Sequence, residues 1–413
     1  MKILFITPYL PSEKSGHAGA QLIFRNISTI AKKHEIVLAS FIDDDESDMM
    51  DELIDIGIDV CTIPYPRNQK SITGKISSGI RNSGAMVDYL QGKETFFFAK
   101  YKKKNMENLI STLVKENSFD MVQVEYNVMH HYTRQIGHIP RVIVFHDIST
   151  KVHERGMVNG DSNHKKSFEI AKRLEPEIGN KFDTVITLTE EDKLYLANLG
   201  CETKIQVIPP QINVPNIDKI AKTPNSICFV GSYNREPNIQ AVEILINEVF
   251  PKISCSVSLN IVGKGLDRKI IQTIHSLEGV NYLGFVDDID SFIASQMLMV
   301  APIHIGAGLK MKIPHALACG TAVITTPVGA EGIAMSEEDG LWVIQTIETM
   351  INKITQVIRA RRSLVAPAYL LAVASSLSSY AQAQSTPADD ADIEKIAVVG
   401  SQIKGAEISE ALA

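Results

Sequence analysis

A length of 413 residues with 45% hydrophobic content is enough to bury two cores, so two domains are expected. The net charge of −7 argues against a general nucleic-acid binder. Cys61, Cys201, Cys228, Cys255 and Cys319 are scattered, with no CxxC or Cys/His cluster; they read as reduced thiols of a cytoplasmic protein and speak against structural zinc.

The chain starts Met1-Lys2 and runs straight into Ile3-Leu4-Phe5-Ile6-Thr7-Pro8, a buried strand rather than the charged start and long apolar core of a secretory leader. Up to about residue 215, short apolar runs alternate with longer amphipathic ones, which predicts an α/β domain with a parallel sheet. Strands are expected at 2–7, 35–41, 58–63, 121–125, 141–146, 183–188 and 205–208. The loop from Pro8 to Gly19 carries Gly16 and Gly19 and leads into a helix from Ala20 to Lys33. Ligands of open α/β sheets bind beyond the carboxyl ends of strands, so this loop is a candidate floor for a site; a plain surface loop is the alternative.

Residues 64–117 are less regular. Phe96-Phe97-Phe98-Ala99-Lys100-Tyr101-Lys102-Lys103-Lys104 sets aromatic residues beside a basic cluster, which suits either an acidic membrane surface holding a lipid-linked acceptor, or a core contact followed by the exposed start of a helix to Glu116. His146-Asp147 closes the strand from Arg141, where polar side chains point into a crevice; His146 is a site candidate, with a structural histidine and a helix-capping Asp147 as the plain alternatives. Thr189 before Glu190-Glu191-Asp192 reads as an N-cap with an acidic first turn. Asp43-Asp44-Asp45 reads as a solvated loop and Asp287-Asp288 as a helix start, so neither predicts a metal site.

Pro209-Pro210, Pro215 and Pro224 mark a boundary, after which a second βα series has strands at 226–231, 258–262, 280–285, 297–303 and 322–326. Gly231-Ser232-Tyr233-Asn234-Arg235-Glu236-Pro237-Asn238 and Gly263-Lys264-Gly265 follow the first two of these strands, and neither fits the dinucleotide GxGxxG or the Walker A pattern. In residues 296–332, the strand Met297 to Ile303 is followed by the turn Gly306-Ala307-Gly308 and a helix expected from near Leu309. The first turn of that helix would offer free N–H groups, with Lys310 and Lys312 as two added cations. This reads as a phosphate cradle; an ordinary βαβ unit with solvated lysines is the alternative.

In this order and at these separations, the opening strand with its glycine loop, His146-Asp147, Val230-Gly231-Ser232 with Pro237-Asn238, and Gly306 through Lys312 to Gly332 resemble the GT-B-fold retaining glycosyltransferases of the group 1 type, family 4. The resemblance covers about residues 1–355. It implies an α/β chain of two doubly wound Rossmann-like domains facing a cleft: an acceptor-side domain at 1–215 and a nucleotide-sugar domain at 216–358. It further implies metal-independent transfer of a sugar from a UDP- or GDP-linked donor to a glycan, lipid-linked or protein acceptor, with configuration retained, no cofactor, and a cytoplasmic place that includes peripheral contact with the inner membrane. By position, Gly16 and Gly19 approach donor phosphate and acceptor, and His146 lies near the transferred sugar. The resemblance likewise implies that Gly231, Arg235, Gly306 and Gly308 would bind donor, that Lys310 and Lys312 would neutralise the leaving diphosphate, and that Glu331 between Ala330 and Gly332 would line the donor pocket.

One departure stands out. The family's cradle helix commonly carries a glutamate for the donor ribose, whereas this chain reads Lys312-Ile313-Pro314-His315-Ala316, with His315 at that position. An imidazole bonds one hydroxyl where a carboxylate accepts two. Two rival readings follow: a nucleotide-sugar epimerase of the same fold, and a catalytically impaired binder or truncated relic. Beyond Ile358 the pattern changes again. Arg359-Ala360-Arg361-Arg362, the apolar stretch to Ser379 and Tyr380-Ala381-Gln382-Ala383 resemble an internal signal peptide, and Ile393 to Ile403 resembles the start of the plug of TonB-dependent outer-membrane receptors. A join near 355–362, with a foreign tail at 359–413, is the expectation.

Overall fold

The computed structural model describes residues 1–15, 17–67, 79–158, 162–212, 214–215, 217, 220–253 and 256–360. Gly16 and Cys255 lie outside the described residues, as do residues 361–413 with the expected signal-like and receptor-like segments. The chain divides after Gln211 into two compact units.

The first unit is built on a parallel sheet of β1 (Lys2–Thr7), β2 (Glu35–Ile42), β3 (Asp59–Pro64), β4 (Met121–Glu125), β5 (Arg141–Phe145), β6 (Thr184–Thr187) and β7 (Ile205–Val207). Their order is β3-β2-β1-β4-β5-β6-β7. Every strand expected here forms. In β1, Ile3 and Phe5 join one core and Leu4 and Ile6 the other, so helices cover both faces of the sheet. That burial explains why the strands read as continuous apolar runs rather than alternating ones. Each such side chain stabilises by about 1.5–3 kcal/mol.

The second unit repeats the plan with β8 (Ser226–Val230), β9 (Ser258–Val262), β10 (Val280–Gly284), β11 (Leu298–Ala301), β12 (Ala322–Thr325) and β13 (Leu341–Val343), in the order β10-β9-β8-β11-β12-β13. The sequence did not predict β13, whose three residues are too few to show a period. The helix Ile347–Ala360 buries Met350, Ile354, Val357 and Ile358, a stripe at helical spacing that closes the apolar core of this unit.

The cradle helix corrects the sequence expectation. It begins at Lys312, not near Leu309, and ends at Ala318. Pro314 accounts for the shift. As the third helical residue it gives up an N–H that has no intrahelical partner, whereas in a helix begun at Leu309 it would be the sixth, where it breaks a hydrogen bond and strikes the carbonyl of Lys310. Lys310 therefore lies in the loop, and only Lys312 in the first turn.

In both sheets the strand order reverses at one place, between β1 and β4 and between β8 and β11. Connections leaving such neighbours diverge, and the crevice beyond their carboxyl ends is where open α/β sheets bind ligands.

Candidate functional site

In the second unit, the loop after β8 and the loop after β11 meet at this reversal. Asn238, third residue of the helix Glu236–Ile244, donates from Nδ2 to Ser232 O at 2.8 Å, which folds the loop back on the helix. A Cβ on Gly231 would stand 2.9 Å from Asn238 Cγ, so the side chain fits there only because Gly231 has none. Gly263, at φ +135°, has Gly231 O where a Cβ would point, 1.7 Å away. From the other side, Gly306 has Pro237 Cγ 3.5 Å from its Cβ direction, which brings the β11 loop against the start of the same helix.

Lys312 enters this junction. Its Nζ donates to Asn238 Oδ1 at 2.5 Å and sits 4.5 Å from the centre of the Phe229 ring. Burial pushes its ammonium pKa down to about 7, and the charges of Arg235 and Lys310 push the same way. Lys310 donates to Gly308 O at 2.6 Å and lies 3.3 Å from Glu331 Oε2. The structure therefore gathers Gly231, Arg235, Gly306, Gly308, Lys310, Lys312 and Glu331 in one place, with Lys310 held by Glu331 rather than solvated. Such a group of cations, with Lys312 part-buried and its charge disfavoured by desolvation, is stabilised by an anion placed among them.

His315 is on the same short helix. Its Nε2 lies 2.6 Å from Asp290 Oδ1, on the helix Ile289–Ser295, and both side chains are part-exposed. A carboxylate is thus present beside position 315, supplied by another helix.

In the first unit, the corresponding reversal holds an aromatic and acidic cluster. His146 Nε2 lies 2.7 Å from Glu125 Oε2, and both are buried. Glu125 Oε1 accepts from Gln123 Nε2 at 2.6 Å, so the carboxylate is fixed on both oxygens. The pairing assigns the Nε2 hydrogen to the imidazole and fixes its orientation. The ring of Tyr126 stacks on it at 3.8 Å and 7°. Tyr126 has φ 69° and ψ 134°, a conformation that costs a bulky residue about 1–3 kcal/mol. Gly19 makes room for it, since a Cβ there would stand 1.7 Å from the Tyr126 Oη. Tyr9 and His17, from the β1 loop, complete the group at 5.6 and 6.2 Å from the Tyr126 ring. His146 and Gly19 are therefore brought together; Asp147 is exposed.

Other acidic and basic motifs have structural explanations. Thr189 Oγ1 accepts from Asp192 N at 3.0 Å and Asp288 Oδ1 from Ser291 N at 3.0 Å, both as N-caps. Asp43 accepts from Arg67 N at 3.1 Å. Phe98 is buried while Phe96 and Phe97 are exposed, and Lys100 lies 4.4 Å from the centre of the Phe97 ring. Among the described residues, all four cysteines are free: Cys201, Cys228 and Cys319 are buried and Cys61 is part-exposed. Among the described residues, two groups of side chains have metal-ligating chemistry: Glu94 with His130 and His131, and Asp290 with His315 and Cys319. Glu94 is pushed up by burial, whereas His131 is pushed down by burial to about 4.

Sequence reading missed Glu125, Tyr126 and Asp290 and gave Asn238 no role. Glu125 had a signal: in Met121-Val122-Gln123-Val124-Glu125 a buried apolar strand ends on a carboxylate that shares a face with Gln123. Asp290 had none, because its meeting with His315 is made only by the packing of two helices.

Residues 224–360 match the family described as Glycosyl transferases group 1. No curated protein is significantly similar to the chain. Among solved structures, the chain is similar to Alr3699/HepE of Anabaena, determined in complex with UDP and glucose, at 15% identity and TM-score 0.59, covering 92% of this chain and 100% of that one. It is similar to the sucrose-phosphate synthase of Thermosynechococcus elongatus at 12% identity and TM-score 0.62, covering 93% and 99%. The likeness to WaaG, a glycosyltransferase involved in lipopolysaccharide biosynthesis, is 16% identity and TM-score 0.58, covering 93% and 96%. These likenesses establish the fold, two Rossmann-like parallel α/β units of the GT-B kind.

Proposed function

We propose that the chain is a retaining glycosyltransferase that moves a sugar from a UDP- or GDP-linked donor to an acceptor hydroxyl in the synthesis of a cell-surface glycan or glycoconjugate. The observation that carries this reading is the part-buried Lys312, bonded to Asn238 and within the field of Arg235 and Lys310 at the strand reversal of the unit whose residues 224–360 match the group 1 family. A diphosphate there restores the charge of Lys312 and is held without a metal ion. The HepE complex with UDP and glucose supports a nucleotide-sugar donor.

The reaction breaks the bond between the anomeric carbon and the donor phosphate oxygen, and the electron pair leaves with the diphosphate. Lys310 and Lys312 stabilise that charge as it forms. The acceptor oxygen bonds to the anomeric carbon on the face the diphosphate leaves, and its proton passes to the departing phosphate oxygen. His146, fixed by Glu125 and the Tyr126 ring, is assigned to the transferred sugar, and the His315–Asp290 pair to the donor ribose in place of the absent glutamate. The exposed Ile80, Met86, Val87, Leu90, Phe96 and Phe97, among nearby lysines, support contact with an anionic bilayer that presents the acceptor. No helix among the described residues is long and apolar enough to cross a membrane.

The test is a transfer assay with UDP- and GDP-sugars over an acceptor panel, reading nucleoside diphosphate release and the anomeric configuration of the product by NMR. Retention, lost in Lys312→Ala, is the expected result; inversion overturns the mechanism. Sugar conversion without an acceptor favours the epimerase reading, and nucleotide binding with no turnover favours the impaired binder, to which His315 itself points.

A further inference from the structure

Beside the His146–Glu125 group, a second cluster of described residues in the first unit has ligating chemistry and unmet hydrogen-bonding capacity. Glu94 lies just before the short helix Phe96–Ala99, and His130 and His131 lie in the turn Asn127–Tyr132 that follows β4. One ligand atom from each of the three side chains can be chosen so that all lie within 4.8 Å of one another. Glu94 Oε1 is 3.6 Å from His131 Nδ1 and 4.0 Å from His130 Nε2, beyond hydrogen-bond length in both cases. Glu94 Oε2 and His130 Nε2 are buried and have no hydrogen-bond partner. Each such atom costs about 1–3 kcal/mol, and two in one cluster call for a ligand that satisfies both.

The third side chain is already oriented. His131 Nε2 lies 3.0 Å from Phe98 O, and a carbonyl only accepts, so this nitrogen carries the hydrogen. Its Nδ1 is then the lone-pair nitrogen on the side of Glu94. A backbone carbonyl that fixes the tautomer in this way is the usual outer partner of a metal-binding histidine.

We propose that Glu94, His130 and His131 bind one divalent first-row cation, with zinc the best chemical match to two imidazoles and a carboxylate. Tetrahedral zinc at about 2.0–2.2 Å from each ligand sets the ligand atoms about 3.3 Å apart, so side-chain shifts of roughly 0.3–1.5 Å complete the site. A fourth position is left for water. The ion ties the segment before Phe96 to the turn that begins just after Tyr126, and so braces the strained backbone there. The charges of Lys102 and Lys181 act on both histidines and oppose the ion; Glu94 offsets them, and Lys102 is also 3.9 Å from Asp88.

The test uses the tag-free full chain, stripped with a chelator and titrated with zinc chloride and, separately, cobalt chloride. Uptake of one equivalent is expected, with the intense visible bands of four-coordinate cobalt. Glu94→Gln and His130→Asn are expected to weaken uptake by more than about 100-fold, beyond the range of an outer-partner loss. His315→Ala, which breaks the Asp290–His315–Cys319 group, is expected to leave it unchanged. Circular dichroism establishes that each variant is folded, and the cobalt spectrum of the unsubstituted chain stands whether or not they are. No uptake by the stripped chain overturns the proposal, as does uptake that survives Glu94→Gln or disappears with His315→Ala.

Discussion

Lys312 Nζ donates to Asn238 Oδ1 at 2.5 Å, joining the first turn of the cradle helix to the first turn of the helix that follows β8. The neutral amide accepts the bond without cancelling the charge. Asn238→Asp supplies a carboxylate instead, which raises the pKa of Lys312 and competes with any bound anion. The expected outcome is at least a ~10-fold loss of UDP or GDP affinity at pH 8, measured by calorimetric titration, together with a loss of stability of about 1–3 kcal/mol in unfolding, because the Nδ2 donor to Ser232 O is lost as well.

Gly263→Ala tests the loop packing. Its φ of +135° and the 1.7 Å approach of Gly231 O leave no place for a methyl group. A destabilisation of about 1–3 kcal/mol or more is expected in denaturant unfolding, with loss of nucleotide binding, because the backbone of Gly231 must move.

His315→Glu restores the residue type that the group 1 resemblance leads one to expect, yet in this chain it faces Asp290. Two carboxylates then meet where the imidazole and Asp290 lie 2.6 Å apart. The single change is expected to lower donor affinity or stability, and His315→Glu with Asp290→Asn to recover it. Strict additivity of the two changes in a double-mutant cycle would contradict the pairing.

Glu175 gives a pH dependence. Fully buried, it accepts from Ser149 N at 2.7 Å, Thr150 N at 3.0 Å, Thr150 Oγ1 at 2.6 Å and Asn127 Nδ2 at 2.8 Å, and burial still raises its pKa from 4.5 to about 7. The folded pKa is the higher one, so this group's stabilisation is full below pH 4.5 and is lost as pH rises to about 7. Glu175→Gln turns a donor toward donors and is expected to cost about 1–3 kcal/mol while removing that slope. Unfolding of both proteins across pH 4.5–8 checks the sign.

How far the sequence reveals this molecule depends on what each feature rests on. Strands buried on both faces, such as Ile3-Leu4-Phe5-Ile6, announce themselves by local composition, and so do the N-caps at Thr189 and Asp288. Pro314 held the true start of the cradle helix, since only a start near Lys312 places it in the first turn. The site's partners are different in kind. Glu331 against Lys310, Asp290 against His315 and Glu94 against His130 and His131 are meetings between segments far apart in the chain, which no local period encodes. The sequence therefore showed Lys310, Lys312, His315 and Glu331 as separate residues but not their pairings, and it gave no sign of Asp290 or of Glu94 with His130 and His131.

The central claim, that the part-buried Lys312 gains its full charge when a diphosphate binds, is tested most directly by the protons taken up on binding. With a folded pKa of about 7 against 10.5 unfolded, Lys312 favours stability increasingly as pH rises across that window, and at pH 8 it is mostly neutral until an anion arrives. Calorimetric titration of the full chain with UDP and GDP at pH 8, in buffers of different ionisation enthalpy, is expected to show uptake of roughly 0.9 proton per nucleotide bound, absent in Lys312→Met. Binding without proton uptake that Lys312→Met leaves unchanged, or no binding of either nucleotide, would contradict the account.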